Sequence, residues 1–225
     1  MDIKLNKGEQ TTITVIASIC STAQYEDPEN ESKRLTLFAM LEGSARLEAN
    51  HKKAWAELWE SDIIIEGDEL SQKDIRFALY NLYSFVREGT DYSLSPMGLS
   101  GSGYNGHIFW DCETWMFPPL LVLHPPLAAS LLEYRFKRLN EAKQNAAAHG
   151  YKGAMFPWES ALSGSEETPV WALTGPFEHH ITADIGIAFW QYYQVTQDKK
   201  WLEEKGYPLL KEVAEEAARI IPVKD

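Results

Sequence analysis

The sequence predicts a mainly α-helical protein that opens on a short β segment, and three observations carry that prediction. Apolar residues recur at helical spacing through most of the chain after Asp27. The opening stretch alternates instead with period two: Ile13, Val15, Ala17 and Ile19 interleave with Thr12, Thr14 and Ser18, the pattern of a half-buried strand. Between the helical segments lie two long irregular stretches, 88–111 and 150–178, that hold Trp110, Trp158 and Trp171 among glycines and prolines. Disordered linkers are poor in such residues, so both stretches read as ordered loops of a functional site.

In chain order, Ile3 and Leu5 belong to a first strand, Asn6 to Glu9 to a turn, and 12–19 to a second strand. Two strands alone are marginal in water, so these read as part of a larger β domain. From Glu31 to Ser61, Leu35, Phe38, Ala45, Trp55, Leu58 and Trp59 make a helical apolar face. Ile63 to Ile65 reads as extended, Gly67-Asp68 as a turn, and Ser71 with Asp74 as the capping box of a helix lined by Ile75, Leu79, Leu82 and Val86. Pro125-Pro126 opens the next helix, where missing N–H groups are tolerated. Its stripe is Leu132, Phe136, Leu139, Ala142 and Ala146, and Gly150 stands where a C-terminal cap belongs. Ile181, Ile185, Ala188, Tyr192 and Val195 form another face. A last helix starts near Pro208 and runs through Val213 and Ala217 to Ile220. Helices paired across long loops suggest a toroid of helical hairpins, and an ordinary irregular α domain fits the periodicity equally well.

Composition narrows the function. The 225 residues carry 21 Lys and Arg against 33 Asp and Glu, a net charge of −12. That balance argues against binding to nucleic-acid phosphates and anionic membrane surfaces, both of which require a basic face. No apolar run approaches a membrane span. The N-terminus of this chain lacks the basic-then-apolar order of a signal peptide, leaving a cytoplasmic or periplasmic location open. Cys20 and Cys112 do not make a disulfide framework.

Four motifs invite chemistry. Gly101 to Gly106 has the glycine spacing of a dinucleotide fingerprint. Pro96 spoils the preceding strand and no helix starts after Gly106, so the run reads as a flexible loop and no cofactor is expected. Phe109-Trp110-Asp111-Cys112-Glu113-Thr114-Trp115 sets two carboxylates among three large aromatics. Sugars present C–H faces to aromatic rings and hydroxyls to charged acceptors, so the mixture suits a carbohydrate. It equally describes a helix start, with acids near the N-terminal dipole. Phe156-Pro157-Trp158-Glu159-Ser160 repeats the combination on the second loop, which favours a shared pocket. His179-His180 with Asp184 is too small a set for zinc, so no metal is expected. Cys112 beside Asp111 is a poor nucleophile, because a neighbouring carboxylate raises a thiol pKa.

Gly106-His107-Ile108-Phe109-Trp110-Asp111, Leu123-His124-Pro125, Leu132-Glu133-Tyr134-Arg135, Gly150-Tyr151-Lys152-Gly153-Ala154, Phe156-Pro157-Trp158-Glu159 and His180-Ile181-Thr182-Ala183-Asp184-Ile185 occur in an order that resembles glycoside hydrolase family 65, over roughly residues 54–202. Leu94-Ser95-Pro96 with Gly98-Leu99-Ser100 is nearer its hydroxylysine-glucosidase branch than its phosphorylases. The resemblance implies residues 1–26 as the last strands of an N-terminal β-sandwich, 27–67 as a helical linker, and 68–225 as about the first half of an (α/α)6 barrel. It implies an α-glucoside substrate, with Asp111 catalytic and Phe109, Trp110, Glu113, Trp158 and Glu159 binding the sugar. Cys112 stands where many relatives have Thr. The family's general acid is a glutamate in a Pro-Asp-Glu-Tyr type motif, which these 225 residues lack. The leading reading is a fragment of an inverting α-glucoside hydrolase, with a phosphorylase and a non-catalytic carbohydrate-binding domain as alternatives. A half barrel also leaves its last hairpin uncovered, exposing apolar residues of the Ile181–Val195 helix and of the helix around Val213, Ala217 and Ile220, so self-association is expected.

Overall fold

The computed structural model describes residues 3–22 and 24–220. Over these residues the chain is mainly helical and contains no strand; its β pairing is confined to two isolated bridges, Ile108–Ser160 and Ser160–Glu166. The chain forms two compact units, 1–60 and 61–225.

In the first unit the expected strands do not form. Residues 12–19 have no ladder partner, and Ile13, Val15 and Ile19 are exposed. The alternation is real, but a strand needs a neighbouring backbone to accept its hydrogen bonds. The helical run expected over 31–61 is two helices. Helix α1 (Pro28–Glu42) starts at Asp27, whose carboxylate accepts the Asn30 N–H at 3.1 Å, and stops at Gly43. Helix α2 (Ser44–Leu58) follows. Neither buries a residue, and pairs one turn apart such as Glu29–Lys33 and Glu48–Lys52 brace their surfaces.

The second unit holds the core. Helix α3 (Glu69–Phe85) starts three residues earlier than the Ser71 box expected from sequence: Asp68 is the cap, accepting the N–H groups of Leu70 and Ser71. Asp68 also accepts the Ser71 hydroxyl at 2.6 Å, which diverts Ser71 from capping. Cys112–Met116 is a π turn leading into α4 (Phe117–Leu123). Pro118 and Pro119 bring no N–H to the ladder, and the Phe117 N–H reaches back five residues to the Cys112 carbonyl. The long helix expected from Pro125 is broken at Arg138 into α5 (Pro125–Lys137) and α6 (Leu139–Ala148). Gly150 caps α6 as expected. Its N–H and that of Tyr151 return to the Ala147 and Ala146 carbonyls at 3.0 and 2.8 Å. Helix α7 (His180–Thr196) keeps the expected face at Ile181, Ile185 and Ala188, which are buried, while Tyr192 is half-buried and Val195 is exposed. After it come a single turn, α8 (Lys199–Trp201), a second π turn over Leu202–Gly206, and α9 (Tyr207–Ile220). Pro208 lies just past that second π turn, as Pro118 lies past the first.

Leu120, Leu131, Phe156, Ile181, Ile185, Phe189 and Leu209 are fully buried where α4, α5, α7 and α9 meet. The expected exposure of the last hairpin is half right. Ile187, Trp190 and Val195 of α7 are open, but Val213 packs inward and Ala217 is half-buried, while the Ile220 side chain lies outside the described residues. No helix among the described residues is long and apolar enough to cross a membrane.

Gly153 seats the second loop on α9. It has φ +81°, and a Cβ there would come within 2.2 Å of the Glu212 carbonyl oxygen and 2.7 Å of the Glu216 nitrogen. Gly150 has the same φ but open space around it. Gly150→Ala is therefore expected to cost about 1 kcal/mol, the strain alone. Gly153→Ala, which adds backbone collision, should cost more than about 3 kcal/mol. Urea melts of the two variants check the difference.

Candidate active site

Both long loops are ordered and fastened to each other. Ile108 N–H donates to the Ser160 carbonyl at 2.7 Å, and Ser160 N–H returns to the Ile108 carbonyl at 3.0 Å. One residue either side of this bridge stand His107 and Glu159, whose Nδ1–H and Oε1 are hydrogen-bonded at 2.7 Å. The Phe109 and Trp158 rings meet edge to face at 5.6 Å. Tyr104 adds a further edge contact to Phe109 at 5.1 Å. Gly175 closes the back of Trp158, since a Cβ there would come within 2.4 Å of the indole. The two Trp-acid clusters found in the sequence are thus neighbours.

Beneath them is a guanidinium. Arg135 of α5 is 1% exposed. Its Nε and Nη2 donate to the two oxygens of Glu113 at 2.8 and 2.9 Å, a bidentate pair. Nη2 also donates to the Phe109 carbonyl and Nη1 to the Ser160 hydroxyl, each at 3.3 Å. One side chain therefore holds the first loop, the π turn before α4 and the second loop together. Burial opposes its charge, but the Glu113 carboxylate outweighs that and keeps Arg135 protonated. Next to it, the Tyr134 hydroxyl donates to the Ala161 carbonyl at 2.5 Å and lies 2.9 Å from Ser160 Oγ.

Asp111 ends the first loop and is half-buried, one residue before the π turn. Trp110 is flanked by Trp115 and by His180, whose ring meets it edge-on at 5.0 Å. His180, at the start of α7, donates through Nδ1 to Asp184 at 2.9 Å. Phe109 and Glu159 are buried, and Trp158 is half-buried. Glu113, expected to touch sugar, is 2% exposed with both oxygens taken by Arg135; it is a structural partner, because a carboxylate buried this deeply must be paired.

Sequence reasoning overlooked Arg135, His107 and Ser160. The available signal was a charged residue, Arg135, set among the apolar positions of a helix, where a buried charge implies a buried partner. The Gly101–Gly106 run makes a short turn over Gly103–Gly106 with Tyr104 and Asn105 at φ 51° and 54°, followed by extended His107. That is loop geometry without the helix a pyrophosphate needs. Cys112 is fully buried, and burial together with Glu113 pushes its thiol up to about 12. Among the described residues no three His, Cys, Asp or Glu side chains are grouped to hold a metal ion.

This helical architecture has a solved counterpart. A chain from the human microbiome superposes with a TM-score of 0.77 at 24% identity, over 84% of this chain and 26% of its own. Residues 76–217, which hold both loops and Arg135, match the Glycosyl hydrolase family 65 central catalytic domain. The chain belongs to glycosyl hydrolase family 65. Among curated relatives it is 58% identical to a kojibiose hydrolase of Flavobacterium johnsoniae, over 95% of this chain and 31% of that protein. It is 46% identical to a protein-glucosylgalactosylhydroxylysine glucosidase of Dictyostelium discoideum, over 95% and 30%. A kojibiose phosphorylase of Thermoanaerobacter brockii is 43% identical, over 81% and 25%. The chain thus spans roughly a third of the length of the curated relatives it matches.

Truncating either partner of the Arg135–Glu113 pair leaves a lone buried charge. Glu113→Ala and Arg135→Ala are each expected to cost about 3–5 kcal/mol. The double variant Glu113→Leu/Arg135→Met, which removes both charges and refills the space, should be less destabilised than either. Chemical melts of the three variants test this order.

Proposed function

We propose that this chain contributes part of the glucose-binding pocket of an enzyme that hydrolyses α-glucosides with inversion. What carries the reading is the fastening of two Trp-acid loops by the Ile108–Ser160 bridge, in a chain 58% identical to a kojibiose hydrolase. Inversion needs one group to protonate the leaving oxygen and another to activate water on the opposite ring face. In this reading Asp111 accepts hydrogen bonds from sugar hydroxyls and favours the oxocarbenium-like ring. Trp110 and Trp158 pack against its C–H faces. Glu159, held by His107, lines the wall, and Phe109 orients Trp158 from behind. Glu113 acts at one remove, through Arg135.

The acid and base belong, on this account, to segments of the enzyme outside these 225 residues. Residues 68–225 then form part of an (α/α)6 barrel, 27–67 a linker, and 1–26 strands that pair only within a complete β-sandwich. That arrangement would account for Ile13, Val15 and Ile19 being open here. The open face of α7, with Ile187 and Trp190, is the surface through which the chain alone would self-associate.

The complete enzyme should release β-glucose from kojibiose or a glucosylgalactoside without orthophosphate, and the 225-residue chain alone should release none. Asp111→Asn in the complete enzyme is expected to lower kcat/KM about 10²- to 10³-fold. Glucose-release assays with NMR of the first-formed anomer check this. Turnover that requires orthophosphate would instead make the enzyme a phosphorylase.

A further inference from the structure

Another buried carboxylate, Glu216, joins α9 to the residue before α7. Glu216 of α9 is 2% exposed, yet its carboxylate accepts a hydrogen bond from His179 Nδ1 at 2.8 Å. His179 is the N-cap residue, immediately before α7. It is only part-buried, and the Tyr151 ring stands edge-on to it at 5.1 Å. Gly153, from the same loop as Tyr151, packs on the α9 backbone at Glu212 and Glu216, and the Ala154 N–H donates to the Glu212 carbonyl at 3.1 Å. The loop, the start of α7 and α9 therefore meet here, with the buried Glu216 carboxylate bonded to His179. Burial raises the Glu216 carboxyl and the His179 hydrogen bond pulls it back, so the acid is tied to this one imidazole.

The next residue is His180, the ring that flanks Trp110 at 5.0 Å and bonds Asp184. A helix start can rotate or fray unless its first residues are tied down, and α7 has no side-chain cap at its N-terminus. The tie comes from α9 instead.

We propose that Glu216 and His179 are a positioning pair: by anchoring the first turn of α7 to α9, they set His180 against Trp110 and so hold one wall of the sugar cleft. The proposal rests on the α-glucoside reading for its functional consequence, though not for the contact itself. Glu216 touches no substrate in this account and acts only through His180. It differs in this from an ordinary core residue, whose loss weakens the whole fold without favouring one wall of the site.

Two measurements on the complete protein test it. The first is hydrogen exchange of the segments 107–116 and 178–184. In Glu216→Ala both should exchange about tenfold faster than in the parent, while Glu216→Gln, which still accepts the imidazole N–H, keeps their protection. His179→Gln, at a part-exposed position, serves as a second route should Glu216→Ala fail to fold. Unchanged exchange around Trp110 in Glu216→Ala, or in His179→Gln where the former does not fold, overturns the proposal. The second is a double-mutant cycle on glucoside KM. Glu216→Ala should raise KM about tenfold with kcat little changed, Glu216→Gln should restore it, and in a His180→Ala background Glu216→Ala should add nothing. Additive effects, or an equal fall in kcat, would make the residue a mere stabiliser and overturn the role. A parent enzyme inert on every α-glucoside would instead overturn the substrate reading, and the exchange measurement would still decide the pair.

Discussion

The structure of the second unit hangs on one buried guanidinium. Arg135 has no business in a helical core unless it is fully partnered, because an isolated charge there would cost many kcal/mol. Its partners are what make it consequential. Glu113 belongs to the turn that follows Asp111, the Phe109 carbonyl to the first loop, and Ser160 to the second. The loops on their own have little secondary structure and would sample many shapes. A single planar fork of donors, anchored on α5, helps select the shape in which the two loops lie side by side, Phe109 against Trp158 and His107 against Glu159. Replacing that fork by lysine would keep the charge and lose the geometry.

The same economy recurs around it. His107–Glu159 repeats the Ile108–Ser160 backbone bridge at side-chain level, and Gly175 leaves just enough room for the Trp158 ring. Prolines at 118 and 119 shift the entry of α4 into a π turn. That turn places Cys112 and Glu113 inward while Asp111, one residue earlier, stays partly open. These devices fasten the loops to each other and, through Arg135, to the helix behind them, which is how irregular segments obtain precise geometry.

Much of this was legible in the sequence, and the remainder was hidden for physical reasons. Pro125, Gly150 and the faces of α3 and α7 were readable because helix signals are local. The Trp-acid clusters were readable because their residue types suit sugars, and motif order pointed to family 65. Helix interruptions at Gly43 and Arg138 were missed, since periodicity continues across a single non-helical residue. Ser71 looked like a cap, but Asp68 competed for the same N–H groups and a carboxylate serves them well. The alternation at 12–19 reads as a strand, but alternation alone supplies no neighbouring backbone, and among the described residues none pairs with it. Glu113 reads as a sugar ligand in the sequence because a carboxylate near tryptophans looks the same whether it faces a cleft or a buried arginine; only the fold places Arg135 beneath it. Glu216 and His179, 37 residues apart, carry no sequence signal of their contact at all.

The central claim is that the two loops form one sugar site. Indole N–H resonances of ¹⁵N-tryptophan-labelled complete enzyme, titrated with glucose, test it most directly. The account predicts that the signals assigned to Trp110 and Trp158 shift together, along a single isotherm with one Kd, and that Asp111→Asn weakens both alike. Shifts of one indole without the other, or two distinct isotherms, would contradict it.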